Sequence, residues 1–142
     1  MLDEKNASKI PPGWVLQKHL ETFSGQAGPY YFRDVKSAEP GVGFLAEPRH
    51  TNLQGFIHGG ALMTLADMSL FDICFRALGR FRGVTLSMTH DFIGGGEVGD
   101  FIEASGEVTK STGSILFARG LVMTNGKTLL SFSGSLKRLR EK

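Results

Sequence analysis

Residues 52–67 read NLQGFIHGGALMTLAD, running from Asn52 to Asp67. Asn52 and Gly55 are turn formers, and at His58-Gly59-Gly60 the pattern changes to a run without glycine or proline until Gly79. That run predicts a helix over Gly59–Leu78 with Gly79 as its C-cap. Placed at 100° intervals, Leu62, Ala66, Leu70 and Ile73 fall on one side, while Met68, Phe71 and Phe75 cover much of the other. A helix that is apolar nearly all round is expected to be buried, so another part of the chain must wrap it.

The downstream sequence supplies the wrapper. Gly83–Ile93, Asp100–Lys110, Ser114–Thr124 and Lys127–Arg138 all read as strands. Leu86, Met88 and Phe92 alternate with Thr85, Ser87 and Asp91, and Leu130, Phe132 and Leu136 alternate with Ser131, Ser133 and Ser135, the period-two pattern of half-buried strands. Gly94-Gly95-Gly96, Ser111-Thr112-Gly113 and Asn125-Gly126 separate them, and Asn-Gly between apolar runs signals a hairpin. Four such strands predict an antiparallel meander, joined by two earlier strands at Tyr30–Val35 and Gly41–Ala46. The expected class is α+β, a curved antiparallel sheet around one long helix.

Upstream, roughly the first ten residues are polar and expected to be disordered. Trp14, Val15, Leu16 and Leu20 suggest a short helix within 11–23, followed by a loop over 24–29. The 142 residues suit one domain. A formal net charge of +2 is too small to point to nucleic acid. The basic run Lys137-Arg138-Leu139-Arg140 reads as a solvated tail or as a contact to ligand phosphates. The lone Cys74 forbids an intrachain disulfide, the N-terminus lacks a secretory pattern, and Asp67, Asp72 and Arg76 interrupt the most apolar stretch. These features predict a cytoplasmic protein that does not span a membrane.

Two features carry chemistry. The first amides of a helix lack intrahelical partners, and with the helix dipole they favour negative charge. At Gly59 and Gly60 a ligand can approach them closely, and such N–H groups stabilise the oxyanion formed when a carbonyl is attacked. The plainer alternative is that the glycines only permit a tight turn into the helix. The second feature is Asp67, a carboxylate inside an apolar helix, which is paired, hydrated or functional; Asp72, on another face, reads as structural. Asn52 either forms the turn or offers its amide to a carbonyl or a water, and His58 either borders a substrate or bonds the backbone. His19, His50, His58 and His90 show no ligand spacing, so no metal is expected. No Gly-x-Ser-x-Gly elbow and no glycine-rich phosphate loop occur.

His58 and Asp67 are nine residues apart, roughly 13 Å along a helix axis at 1.5 Å per residue. If both ends act on one substrate, Asp67 must come from a second subunit, and an antiparallel helix pair across a two-fold axis supplies it twice.

Asn52, Gly55, His58-Gly59-Gly60 and Asp67 resemble the N-x-x-G-x-x-H-G-G-x(6)-D pattern of PaaI-like hotdog thioesterases, relatives of phenylacetate-pathway and 4-hydroxybenzoyl-CoA thioesterases. Gly83-Val84-Thr85, Gly99-Asp100 and Gly113 extend the resemblance over about residues 40–137. It implies a hotdog fold and hydrolysis of an acyl-CoA thioester without a cofactor. Asp67 would be nucleophile or general base, and the Gly59 N–H would polarise the carbonyl. Asn52 would hold the carbonyl or the water, His58 would border the carbonyl, and Thr85 would position water. Gly60, Met63, Lys137 and Arg138 are candidate substrate contacts, and Met68, Phe71 and Phe92 are core or acyl-pocket residues. The resemblance also implies a homodimer that forms the active site, assembled into a homotetramer. Gly94-Gly95-Gly96 departs from many relatives, which carry proline or alanine there. The competing expectations are an acyl-CoA-binding protein without turnover and a hotdog dehydratase of 3-hydroxyacyl groups.

Overall fold

The structure is a computed structural model, and it describes residues 9–37 and 39–140. The seven strands are β1 (Trp14–Leu16), β2 (Tyr31–Arg33), β3 (Val42–Leu45), β4 (Gly83–Phe92), β5 (Phe101–Ser111), β6 (Ile115–Thr124) and β7 (Lys127–Arg138). The helices are α1 (Phe23–Ala27) and the 20-residue α2 (Gly59–Leu78). All strand pairs are antiparallel, and the sheet order is β1-β2-β3-β5-β6-β7-β4. This is the hotdog fold: one curved sheet around one long helix.

Three expectations are corrected. The stretch 11–23 holds no helix at Trp14; Trp14–Leu16 pair with Arg33–Tyr31 as an edge strand. Four apolar residues are too few to set a helical period, and Trp14 gains more as a strand residue, meeting Phe101 edge-on at 5.0 Å with the Arg33 guanidinium 4.8 Å above its ring. The short helix comes later, at α1, where a loop was expected. The expected disorder at the N-terminus concerns residues that fall mostly outside those described.

The four long strands are not a simple meander. β5, β6 and β7 follow one another, with Asn125 and Gly126 at φ 49° and 77° in the hairpin between the last two. β4, however, pairs with β7 and forms an edge. The segment 93–100 therefore crosses to the far side of β6 instead of reversing into a hairpin. Its glycines serve close passage: Gly96 is buried, and a Cβ there would lie 3.1–3.3 Å from Ile102, Leu129 and Ile57 side chains.

Finally, α2 is buried on one side only. Leu62, Leu65, Ala66, Ser69, Leu70, Ile73 and Cys74 press into the sheet against Ile102, Leu116, Leu130 and Leu136. Gly134 allows the close approach, since a Cβ on it would stand 2.7 Å from Leu70 Cδ1. The opposite face stays open, with Met63 40% and Phe75 46% exposed. A single layer of sheet can cover only one side of a helix.

Asp72 and Arg76 fasten the C-terminal half of α2 to the loop after β2. Asp72 accepts from the Gly41 amide at 2.8 Å and from Arg76 Nε at 3.2 Å. Arg76 also donates to the carbonyls of Arg33, Asp34 and Ser37. Burial holds the Asp72 carboxyl above its ordinary range, against the pull of the Gly41 amide and Arg76. The structural reading of Asp72 is thus supported. Cys74 is a core residue whose thiol burial pushes up to about 11.

Candidate active site

The site grows out of the loop that leads into α2. His50 and His58 face each other at the base of that loop, with the His58 amide donating to the His50 carbonyl at 2.8 Å. Thr51 bridges Ile57, and the Asn52 amide donates to Phe56 O at 2.8 Å. His50 anchors this ladder to the body. Its Nδ1 accepts from the Glu47 amide at 3.0 Å, and its Nε2 donates to Ala27 O at 2.8 Å and Gly28 O at 3.1 Å. These partners demand the neutral imidazole with its proton on Nε2. Burial lowers the His50 pKa accordingly.

At the tip, Asn52 Oδ1 accepts from the amides of Gln54 at 3.0 Å and Phe56 at 3.1 Å. Asn52 is therefore the turn former, and the same bonds leave its Nδ2 without a partner among the described residues. Its oxygen builds the loop, as the turn-forming alternative expects, while its nitrogen stays free to donate.

His58 is the N-cap of α2, and its Nδ1 accepts from the Gly60 amide at 2.8 Å. That amide is thereby occupied, so Gly60 offers space but not its N–H. In the neutral ring the His58 proton then sits on Nε2, which makes it a donor. The Gly59 amide has no hydrogen-bond partner among the described residues. It is the free donor at the positive end of the helix. The Phe92 ring walls the spot, since a Cβ on Gly59 would lie 3.0 Å from it.

Asp67 lies two turns further along the open face of α2, half-buried. Thr85 Oγ1 donates to Asp67 Oδ1 at 2.7 Å, which leaves Oδ2 free of any bond among the described residues. A β-bulge sets this contact. The register of β4 on β7 slips between Thr85 and Ser87, so Thr85 opposite Leu136 and Met88 opposite Gly134 both point to the helix. Three residues apart in a regular strand, without the bulge at Leu86, they would face opposite ways.

The structure thus sets the candidate residues in two separate groups within one chain. Asn52, His58 and Gly59 stand together at the helix start. Asp67 and Thr85 stand together about 12 Å along the axis, eight residues on at 1.5 Å each. Met63 lies midway between them on the same face. Lys137 and Arg138 pair with Val84 and Gly83, next to Thr85 along the sheet. Sequence reading missed the anchoring by His50 and the bulge at Leu86. The proline at the start of the turn Pro48–His50 was the only local hint of the first, and the second left no signal. Among the described residues no group of three or more His, Cys, Asp or Glu side chains is placed to hold a metal. Nor is any described helix long and apolar enough to cross a membrane.

A fold of this order is shared by a known family. The thioesterase superfamily model matches residues 54–131, and the chain belongs to that superfamily. A Pseudomonas aeruginosa protein provisionally named an esterase is 31% identical over 126 residues, covering 88% of this chain and 94% of that protein. Among solved structures, a variant of the phenylacetic acid degradation protein PaaI from Thermus thermophilus superposes with a TM-score of 0.72 at 25% identity, covering 82% of this chain and 98% of that one. Thioesterase superfamily member 2 of zebra fish shares the fold with a TM-score of 0.70 at 23% identity, covering 95% and 92% of the two chains.

Proposed function

We propose that the protein hydrolyses acyl-CoA thioesters at sites shared between two subunits, with Asp67 and Thr85 from one and Asn52, His58 and Gly59 from the other. The observation that carries this reading is the Thr85–Asp67 hydrogen bond, which points a carboxylate across the open face of α2, about 12 Å from its own chain's free Gly59 amide. A second copy lying antiparallel brings residue 59 opposite residue 67 and residue 63 opposite its own mate. The outer edge of β4, ten residues long and unpaired among the described residues, lets the two sheets continue into one.

The chemistry follows from the groups present. The Gly59 N–H, with Asn52 Nδ2 beside it, polarises the thioester carbonyl. Asp67 attacks the carbonyl carbon through its free oxygen, or takes the proton of a water that attacks in its place. The C=O electron pair moves onto oxygen and is held by the Gly59 N–H. When the pair returns, the C–S bond breaks and CoA leaves as its thiolate. In the covalent variant, water then cleaves the mixed anhydride formed with Asp67. Lys137 and Arg138, beside Thr85 along the sheet, offer cations to the CoA phosphates. His58 presents a donor and not a base, which counts against a dehydratase. A protein that only binds the ester has no use for the Asp67–Thr85 pair.

The test is release of free CoA from a panel of short, medium, aryl and hydroxyaryl acyl-CoAs. Hydrolysis that disappears in Asp67→Asn is the expected result. If no thioester is cleaved, or if Asp67→Asn cleaves as fast as the natural chain, the reading is wrong. A single turnover in ¹⁸O-labelled water separates the two roles of Asp67, since only the covalent route can leave label in its carboxylate.

A further inference from the structure

The loop that carries Asn52 hangs from one residue. His50 is 5% exposed, and its ring packs on Phe44 with centroids 4.7 Å apart. Both sides of the small ladder meet there. Thr51 and Asn52 follow His50 directly, and its carbonyl accepts the amide of His58, the residue before Gly59. From Thr51 to Ile57 the hydrogen bonds among the described residues run within the loop or back to Pro48, apart from one from the Ile57 amide to Gly96 O at 3.4 Å. Ile57 seats the far side in the core, while Leu53 and Phe56 face solvent. The near side, which bears Asn52, is fixed by the His50 ring. That ring is clamped between the Glu47 amide on Nδ1 and the Ala27 and Gly28 carbonyls on Nε2.

The clamp works in one protonation state only. Nδ1 faces an N–H and Nε2 faces two C=O groups, so the ring must carry a single proton, on Nε2. A second proton would set two donors against each other at Nδ1. Turning the ring over gives no relief, because both nitrogens then carry protons. The surroundings offer the cation little. On its own turn, Glu47 lies near but accepts from Arg49 Nε at 2.8 Å, and the Arg49 charge opposes that of the carboxylate. Residues 23–29 and strand β3 carry no titratable side chain. Tyr30, packed on the same Phe44 ring, is pushed up to about 12 by burial and stays a neutral phenol. His58, across the ladder, spends Nδ1 on the Gly60 amide. Burial is the largest influence on the His50 pKa and lowers it.

We propose that His50 is a positioning residue for the reaction: as the neutral imidazole it holds Asn52 and the entry to Gly59 in place, and a second proton on the ring releases them while the chain stays folded. This rests on the thioesterase reading, in which Asn52 and Gly59 handle the carbonyl. The experiment follows kcat and KM for the best-cleaved acyl-CoA from about pH 8 downward. Circular dichroism at each point confirms the fold, and ¹⁵N spectra of histidine-labelled protein read each ring. At the start His50 should show its proton on Nε2. Below its ordinary value of about 6.5, kcat should fall by up to about ten-fold per pH unit in step with the His50 signals, with KM changing less. His50→Gln keeps an N–H for the carbonyls and cannot titrate, so it should stay within about ten-fold of the natural chain at high pH and lose that part of the acid fall. His50→Leu fills the volume without either bond and should lower kcat by about 10²-fold, the order for an oxyanion donor. Natural kcat in His50→Leu overturns the proposal. So does a fall that follows His58 or Asp67 and persists in His50→Gln, or a His50 ring that stays neutral until the chain unfolds. If no thioester is cleaved at any pH, the thioesterase reading fails and the amide signals decide. The Asn52 Nδ2 and Gly59 N–H resonances should then shift with the His50 titration, and resonances that ignore it overturn the proposal.

Discussion

Mixing two inactive variants offers a quantitative test of the divided site. Asp67→Ala removes the carboxylate. Gly59→Val blocks the carbonyl position, because even a Cβ at 59 meets the Phe92 ring at 3.0 Å and two further methyls fill the space above the amide. Each variant alone should lose activity by 10²-fold or more, the usual order for removing such a group. Unfolded together and refolded at equal amounts, random pairing makes about half of the dimers mixed. Each mixed dimer holds one site with a natural Gly59 facing a natural Asp67, and one site lacking both. About a quarter of natural activity should therefore return. The assay is free CoA thiol released per mole of dimer, with mass spectrometry confirming that mixed dimers have formed. If they form and activity stays at the level of the two parents, one chain supplies both groups and the proposed geometry is refuted.

Other consequences are open to measurement. Thr85→Val replaces the hydroxyl on Asp67 with a methyl of similar shape and should lower kcat/KM by 10- to 100-fold, since hydrogen bonds to charged groups are worth about 1.5–3 kcal/mol; Thr85→Ser should restore most of it, and equal rates for all three would dismiss the contact. Arg76→Ala strands the buried Asp72 carboxylate and should cost about 3–5 kcal/mol in denaturant unfolding, while Arg76→Met with Asp72→Leu should cost much less. His50 is held neutral, so below its ordinary value near 6.5 the unfolded chain binds a proton that the folded chain refuses. Stability should thus be full above that value and fall as the solution is acidified, with a slope approaching 1.4 kcal/mol per pH unit. His50→Gln should flatten the curve between pH 6.5 and 5, and an unchanged slope would show that another group is responsible.

Much of this was legible in the sequence, for reasons that differ by region. The limits of α2 were marked by residues acting on their own backbone, His58 at one end and Gly79, at φ 73°, at the other. The strands after it were visible because alternation and an Asn-Gly turn are local. Their order was not, because whether β4 pairs with β5 or β7 depends on how segment 93–100 crosses the sheet, which is a tertiary choice. The strand at Trp14 was misread for the same reason, since its partner β2 lies 15 residues on and its ring partner Phe101 far beyond. At the site, residue types and spacing exposed Asp67, Gly59 and Asn52. They did not show that Asn52 serves turn and donor together, that His58 occupies the Gly60 amide, or that Thr85 meets Asp67.

The bulge in β4 makes one position tolerant in two ways. Leu86 is 53% exposed, so what its side chain is made of matters little to the core. It is also the residue that the register leaves without a partner on β7. Removing it would set Thr85, Ser87 and Met88 in regular alternation opposite Leu136, Ser135 and Gly134, so Thr85 would still face the helix and only the local bend of the bulged strand would be lost. Position 86 is thus a place where β4 can shed a unit of length without changing phase, and a scan by deletion should find the strand forgiving there.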